Sequence, residues 1–291
     1  MVRTIGLLFD PHIVHGGRRD HDGVAVVKKA IEKLNEVGVD WTLIGGDIRS
    51  FVAPAEKGRT GSIDWGGWDG ETTNKYYRND FRKAKDLFDA ELTSDYRVIR
   101  GNNDRPLAVF RDYFPAHAHP PWGTQIDDGA RYVWLDSNPD LGYHLYDERQ
   151  NFVSAPQLSM LDRLMDRDPT IPTFVFCHAP LAKHPEFGPD WDIGKESAYY
   201  VTTNLPSVQA RLERGNTIIV NTGHYFRGEG RGAVNIEGIE YVNARHLVQG
   251  SDPSYGGDVR WMRVDSEARQ AEVMYYDVGA DETGSLVSAT W

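Results

Sequence analysis

With 291 residues the chain is long enough to bury a large core, and α/β units of this length are often single domains. Its 40% hydrophobic and 26% charged content exclude a disordered or coiled-coil protein. A formal net charge of −11 disfavours a nucleic-acid partner, whose capture rests on phosphate neutralisation, but leaves room for a small anionic substrate beside a bound metal.

The first strand ends in the short apolar run Leu7-Leu8-Phe9, followed by Asp10-Pro11-His12. An uncharged run reads as a strand buried on both faces, and a carboxylate and an imidazole two positions apart at its end do not belong to a dry interior. After a polar loop containing His15, Val27, Ala30, Ile31, Leu34 and Val37 recur at helical spacing, and Gly38 is a stop. The run Trp41-Thr42-Leu43-Ile44-Gly45-Gly46-Asp47 follows, so the unit is βαβ and its strands are expected to be parallel. From about 48 to 74 the periodicity disappears into a Gly-rich stretch with Trp65 and Trp68. A loop this long inside a compact domain is usually functional. It reads as an insertion that walls or covers a site, or equally as a surface excursion packing its own tryptophans.

Residues 75–92 read as a second helix leading to a strand that ends Val98-Ile99-Arg100-Gly101-Asn102-Asn103-Asp104. Beyond it, β-rich stretches at 124–126 and 131–136 are expected to be antiparallel strands of a second sheet. Ser154-Ala155-Pro156-Gln157 has the form of a capping box, followed by a core face of Leu158, Leu161, Leu164 and Met165. A strand ending Phe176-Cys177-His178, a helix over 206–214 and a strand ending Asn221-Thr222-Gly223-His224 come next. The tail, 232–278, holds β-like runs split by glycines. A mixed α/β core followed by antiparallel strands predicts two packed sheets flanked by helices.

Five strands thus end in Asp, Asn or His, often just after Gly. Their C-terminal edges present these groups to one crevice, which is where open α/β sheets bind ligands. Asp10, His12, Asp47, Asn102, His178 and His224 combine carboxylate, amide and imidazole, a set that suits Mn, Fe or Zn better than Ca. Such ligands can hold two metals about 3.5–4 Å apart with a water between them, an arrangement that hydrolyses phosphate esters.

The ordered blocks Asp10-Pro11-His12, Gly46-Asp47, Gly101-Asn102-Asn103-Asp104, His178 and Gly223-His224-Tyr225-Phe226 resemble the signature of the calcineurin-like metallophosphoesterases. The resemblance implies a four-layer α/β/β/α sandwich of two mixed sheets over 1–291, and a metal-dependent hydrolase of phosphoesters, phosphodiesters favoured. It implies that Asp47 bridges two metals, with Asp10 and His12 on one and Asn102, His178 and His224 on the other. Two positions depart from the family. Asn103 stands where a His normally acts on the leaving group, and Phe226 stands where a second His normally holds the first metal. That metal therefore keeps fewer ligands and is expected to bind more weakly, unless Tyr225, His15 or His246 steps in; each of these reads first as an ordinary surface or supporting polar residue, and as a ligand only second. Asn103 and Asp104 are the candidate catalytic residues, Asp104 mainly orienting its neighbours, and Arg105 is the candidate contact to a substrate phosphate. The expected cofactor is one or two Mn, Fe or Zn ions and the expected partner a small phosphorylated substrate. The alternative is a catalytically impaired binding or regulatory protein on the same fold.

Cys177 is the only cysteine, so no internal disulfide can form, and it reads as a small buried core residue. With no hydrophobic leader and no run approaching a membrane span, the expected location is the cytoplasm.

Overall fold

The computed structural model describes residues 1–13, 23–49, 70–104, 107–117, 120–138, 151–187, 201–224, 232–248 and 257–291, with 70–77 in backbone only. Strands β1 (Val2–Leu8), β2 (Trp41–Ile44) and β3 (Asp95–Val98) are parallel, joined through helices α1 (Gly23–Val37) and α2 (Gly70–Glu91). Leu8 lies opposite Ile44, and Ile44 opposite Val98, so the three C-terminal ends are level. Helix α3 (Leu107–Tyr113) packs against α2 through Phe110 and Phe81.

The hairpin β4 (Gly123–Asp127) and β5 (Ala130–Leu135) starts a second sheet. Helix α4 (Ala155–Arg167), β6 (Thr173–Cys177), α5 (Leu205–Leu212), β7 (Thr217–Thr222) and the hairpin β8 (Ala233–Ile236) and β9 (Ile239–Asn243) continue it. Its strand order is β4-β5-β6-β7-β9-β8, with β5, β6, β7 and β9 mutually parallel and an antiparallel strand at each edge. The chain then returns to the first sheet as an antiparallel meander of β10 (Asp258–Asp265), β11 (Gln270–Asp277) and β12 (Glu282–Thr290), with β10 beside β1. Among the described residues the architecture is two mixed six-stranded sheets and five helices.

Alternation along the strands divides the core into three layers. Ile5, Leu7 and Leu43 face Phe174, Phe176 and Val242 between the sheets. Their chain neighbours point outward: Leu8 and Ile44 meet Ile31, Leu34 and Phe81, while Val175 and Val220 meet Leu161, Met165 and Leu212. Both faces of the central strands are therefore dry, which is why they are written as uninterrupted apolar runs. Apolar burial on two faces, worth roughly 25 cal/mol per Å², stabilises these strands and so the positions of their ends. Cys177 is buried in the outer layer of the second sheet, and burial pushes its thiol up to about 12.

The tail is shared between the sheets, because β8 and β9 pair with β7 while β10 pairs with β1. Two local expectations are corrected. Helix α2 begins at Gly70 and so takes in the end of the expected insertion, whose first turn has no apolar periodicity to announce it; the rest of that stretch, 50–69 with both tryptophans, lies outside the described residues. Ser154 makes no side-chain cap to the first turn of α4. Gln157 instead donates to the Asp136 carbonyl at 2.8 Å and accepts from the Asp136 N–H at 2.8 Å, tying the helix to the end of β5.

Candidate metal centre

The chain leaves β1 and β2 by turning sharply while staying hydrogen-bonded. Asp10 N–H donates to the Gly46 carbonyl (3.2 Å), His12 N–H to the Asp47 carbonyl (3.0 Å) and Ile13 N–H to the Ile48 carbonyl (2.7 Å). Asp10, His12, Asp47 and His224 all sit in the left-handed region, at φ 51°, 44°, 47° and 69°. Outside glycine, Asp, Asn and His are the residues that tolerate this region, and such outliers collect at functional sites. The neighbouring glycines are required sterically. Gly46 has φ 91° and passes so close to Gly101 N that a Cβ would lie 2.7 Å from it, while a Cβ on Gly101 would lie 2.1 Å from both Asp47 N and Asp47 Oδ1.

These turns bring the expected residues together in two groups: Asp10 and His12 with His246, and Asp47 and His178 with His224. In each group one ligand atom per residue lies within 4.8 Å of the others. Asn102 joins the second group, its Oδ1 being 3.0 Å from His178 Nε2. The groups are adjacent, since His12 Nε2 is 3.8 Å from Asp10 Oδ1 and 4.0 Å from Asp47 Oδ2. The sequence alone presents His246 only as one of three substitutes. A signal for it existed: β9 is a further parallel strand, and Val242-Asn243-Ala244-Arg245-His246 repeats the pattern of an apolar strand followed by a histidine.

The chemistry of the donors fits a cation. The Gly45 carbonyl can only accept, so His178 Nδ1 carries the proton that it shares at 3.0 Å. The Nε2 lone pair then faces Asn102 Oδ1 and, at 3.4 Å, Asp47 Oδ1, so three electron-rich atoms converge. Burial lowers the His178 pKa to about 3, keeping the ring neutral and able to ligate. Asp10 is fully buried; its Oδ2 accepts the His224 N–H at 2.9 Å, whereas its Oδ1 has no hydrogen-bond partner. Burial and the nearby Asp47 carboxylate raise the Asp10 pKa well above the usual carboxylate range, and the same causes raise Asp104 to about 7. Buried carboxylates pressed together with an unsatisfied oxygen are stabilised by a divalent ion, which reverses this charge balance.

The remaining candidates are placed as follows. Asn103 grips Asp47 twice, its N–H on Oδ1 at 2.8 Å and its Nδ2 on Oδ2 at 2.6 Å. The buried Asp104 carboxylate accepts from Gly101 N–H at 2.8 Å and Arg49 N–H at 3.4 Å, which fixes the loop that carries Asn102. Arg105, His15, Tyr225 and Phe226 lie outside the described residues.

The chain is thus a four-layer α/β sandwich with two adjacent Asp/His groups at the C-terminal edges of its strands. No protein-family model matches the chain, and no curated protein matches it in sequence. Its fold is shared with a dimetal phosphatase from Danio rerio (TM-score 0.67, 13% identity, 99% of each chain covered). It is also similar to GAP50, described as the anchor in the inner membrane complex of Plasmodium (TM-score 0.55, 10% identity, 98% of this chain and 88% of that one). Among the described residues no helix is long and apolar enough to cross a membrane.

Proposed function

We propose that this chain is a metal-dependent hydrolase of phosphoester bonds that favours small phosphodiesters and works in the cytoplasm. The observation that carries the reading is the pair of adjacent Asp/His groups with a buried, unpartnered oxygen on Asp10. When bound, one or two Mn, Fe or Zn ions supply a water acidic enough to be the nucleophile at neutral pH. Asp10 and His12 would hold one ion, Asn102, His178 and His224 the other, and Asp47 would lie between. The Gly45 carbonyl orients the His178 ring, as the outer partner of a ligating imidazole usually does.

Asn103 shapes the substrate preference. An amide has no proton to give a leaving group, and general acid catalysis contributes typically ~10²–10⁴-fold, so poor leaving groups suffer most. Its two bonds to Asp47 make it a positioning residue for that carboxylate. Asp104 positions the 101–104 loop, and Arg105 is assigned to a substrate phosphate.

The test is metal analysis of the purified protein together with turnover of a diester and a monoester with matched leaving groups. His178→Ala should lose metal-dependent turnover without unfolding, and Asn103→His should gain on poor leaving groups. Near-normal turnover in His178→Ala, or a wild type that prefers an alkyl monoester, overturns the proposal. The impaired-binding reading draws on one observation, that both Asp47 oxygens are engaged by Asn103, and on the structural neighbour described as an anchor. Bound metal with no turnover on either substrate would favour it.

A further inference from the structure

We propose that His246 is the third protein ligand of the first metal, taking the place of the imidazole that Phe226 removes. The inference rests on the metal-centre reading above and adds to it a residue from outside the five motif blocks.

Three observations converge on this ring. Its ligand atom belongs to the same group as those of Asp10 and His12, and its ring centroid is 5.4 Å from that of His12. Its Nε2 is 2.5 Å from the His224 carbonyl, which can only accept, so Nε2 carries the proton and Nδ1 keeps the lone pair. A ligating histidine usually donates its other N–H to a carbonyl or carboxylate in this way, which fixes tautomer and ring orientation. The backbone delivers the ring to its place: Leu247 N–H bonds the Phe9 carbonyl at 3.4 Å and Val248 N–H the Asp10 carbonyl at 3.3 Å, so the segment after β9 runs beside the end of β1. Leu247 and Val248 are buried in the outer core and anchor it there.

The consequence is that both groups have a full ligand set. The first becomes Asp10, His12 and His246 with Asp47 shared, two imidazoles and carboxylates, which suits Mn, Fe or Zn. The weak first site expected from Phe226 is thereby restored. Because His246 also donates to the backbone of His224, a ligand of the second group, it couples the two.

The test is Mn²⁺ titration of metal-stripped wild type, His246→Ala, His246→Phe and, as a control at the opposite edge of the first sheet, Glu267→Gln. The wild type and the control should bind two ions per chain. His246→Ala and His246→Phe should keep one tight ion and bind the other at least ~10–100-fold more weakly, since loss of even a supporting partner costs that much. His246→Phe keeps the ring's bulk, so a loss in both variants is not a packing defect. In wild type labelled with ¹⁵N-histidine, Zn²⁺ should shift the His246 Nδ1 signal as a coordinated nitrogen and leave Nε2 protonated; this readout stands even if both variants fail to fold. Two tight ions in His246→Phe, one or none in the wild type, or a His246 Nδ1 signal insensitive to Zn²⁺ overturns the assignment. Two ions without turnover removes the hydrolase reading and leaves the ligand assignment standing.

Discussion

Removing the charge of Asp136 should destabilise the protein severely, because this residue pins the two sheets together beside the metal centre. Arg100 ends the run of β3 and Asp136 the run of β5, and they are 2% and 5% exposed. Arg100 donates to Asp136 Oδ2 from Nη2 at 2.6 Å and from Nε at 3.2 Å, and also to the Asn138 carbonyl. Asn138 returns the contact, its Nδ2 donating to the Arg100 carbonyl at 3.0 Å. Asp136→Asn keeps the volume but leaves a guanidinium buried without its counter-charge, a change that costs about 3–5 kcal/mol. At about 2–3 °C per kcal/mol for a chain of this size, thermal melts should fall by roughly 6–15 °C. The double variant Arg100→Met with Asp136→Leu removes both charges and should recover most of that loss, since apolar residues often replace a buried pair at little cost. A loss below about 1 kcal/mol in Asp136→Asn, or a double variant no more stable than the single one, would refute the argument.

Two further perturbations probe other parts of the structure. Gly101→Ala forces a Cβ to within 2.1 Å of Asp47 N and Oδ1; overpacking of this kind costs about 1–3 kcal/mol, and the variant should melt lower and bind less Mn²⁺, so wild-type values of both would contradict the close-approach explanation. His117 is held neutral, its pKa lowered to about 4 by burial with Arg97 and Lys85 contributing, so the unfolded chain takes up a proton that the folded one refuses. Stability should therefore be complete above about pH 6.5 and fall as pH drops toward 4, by about 1–2 kcal/mol after allowance for solvent around a partly exposed ring. His117→Gln should flatten that part of the pH profile, and an unchanged slope would show that other groups set it.

The strands that carry the metal-centre residues were legible because being buried on both faces demands a continuous apolar run, and a polar residue ending such a run is conspicuous. Leu7-Leu8-Phe9-Asp10 and Phe176-Cys177-His178 are of this kind. Strand β12 was not legible: it is an edge strand with partly exposed faces, so Glu282–Thr290 carries only weak alternation. The sheet to which each tail strand belongs is a matter of long-range pairing, β10 with β1 and β9 with β7, and local pattern does not encode it. His246 shows the same division. Its strand could be read from sequence, but its meeting with Asp10 depends on where β9 lies relative to β1.

The left-handed backbone at Asp10, His12, Asp47 and His224 also constrains how this sequence can drift. Each of these residues holds a conformation that costs a non-glycine residue on the order of 1 kcal/mol or more, and Asp10 adds a buried charge. Glycine at any of the four would relax the backbone, but at 10 and 47 it would also remove the carboxylate that accepts the His224 and Asn103 N–H groups. Relaxing the backbone and keeping the donor atoms are thus opposed at these positions, and this chain carries Asp or His at all four.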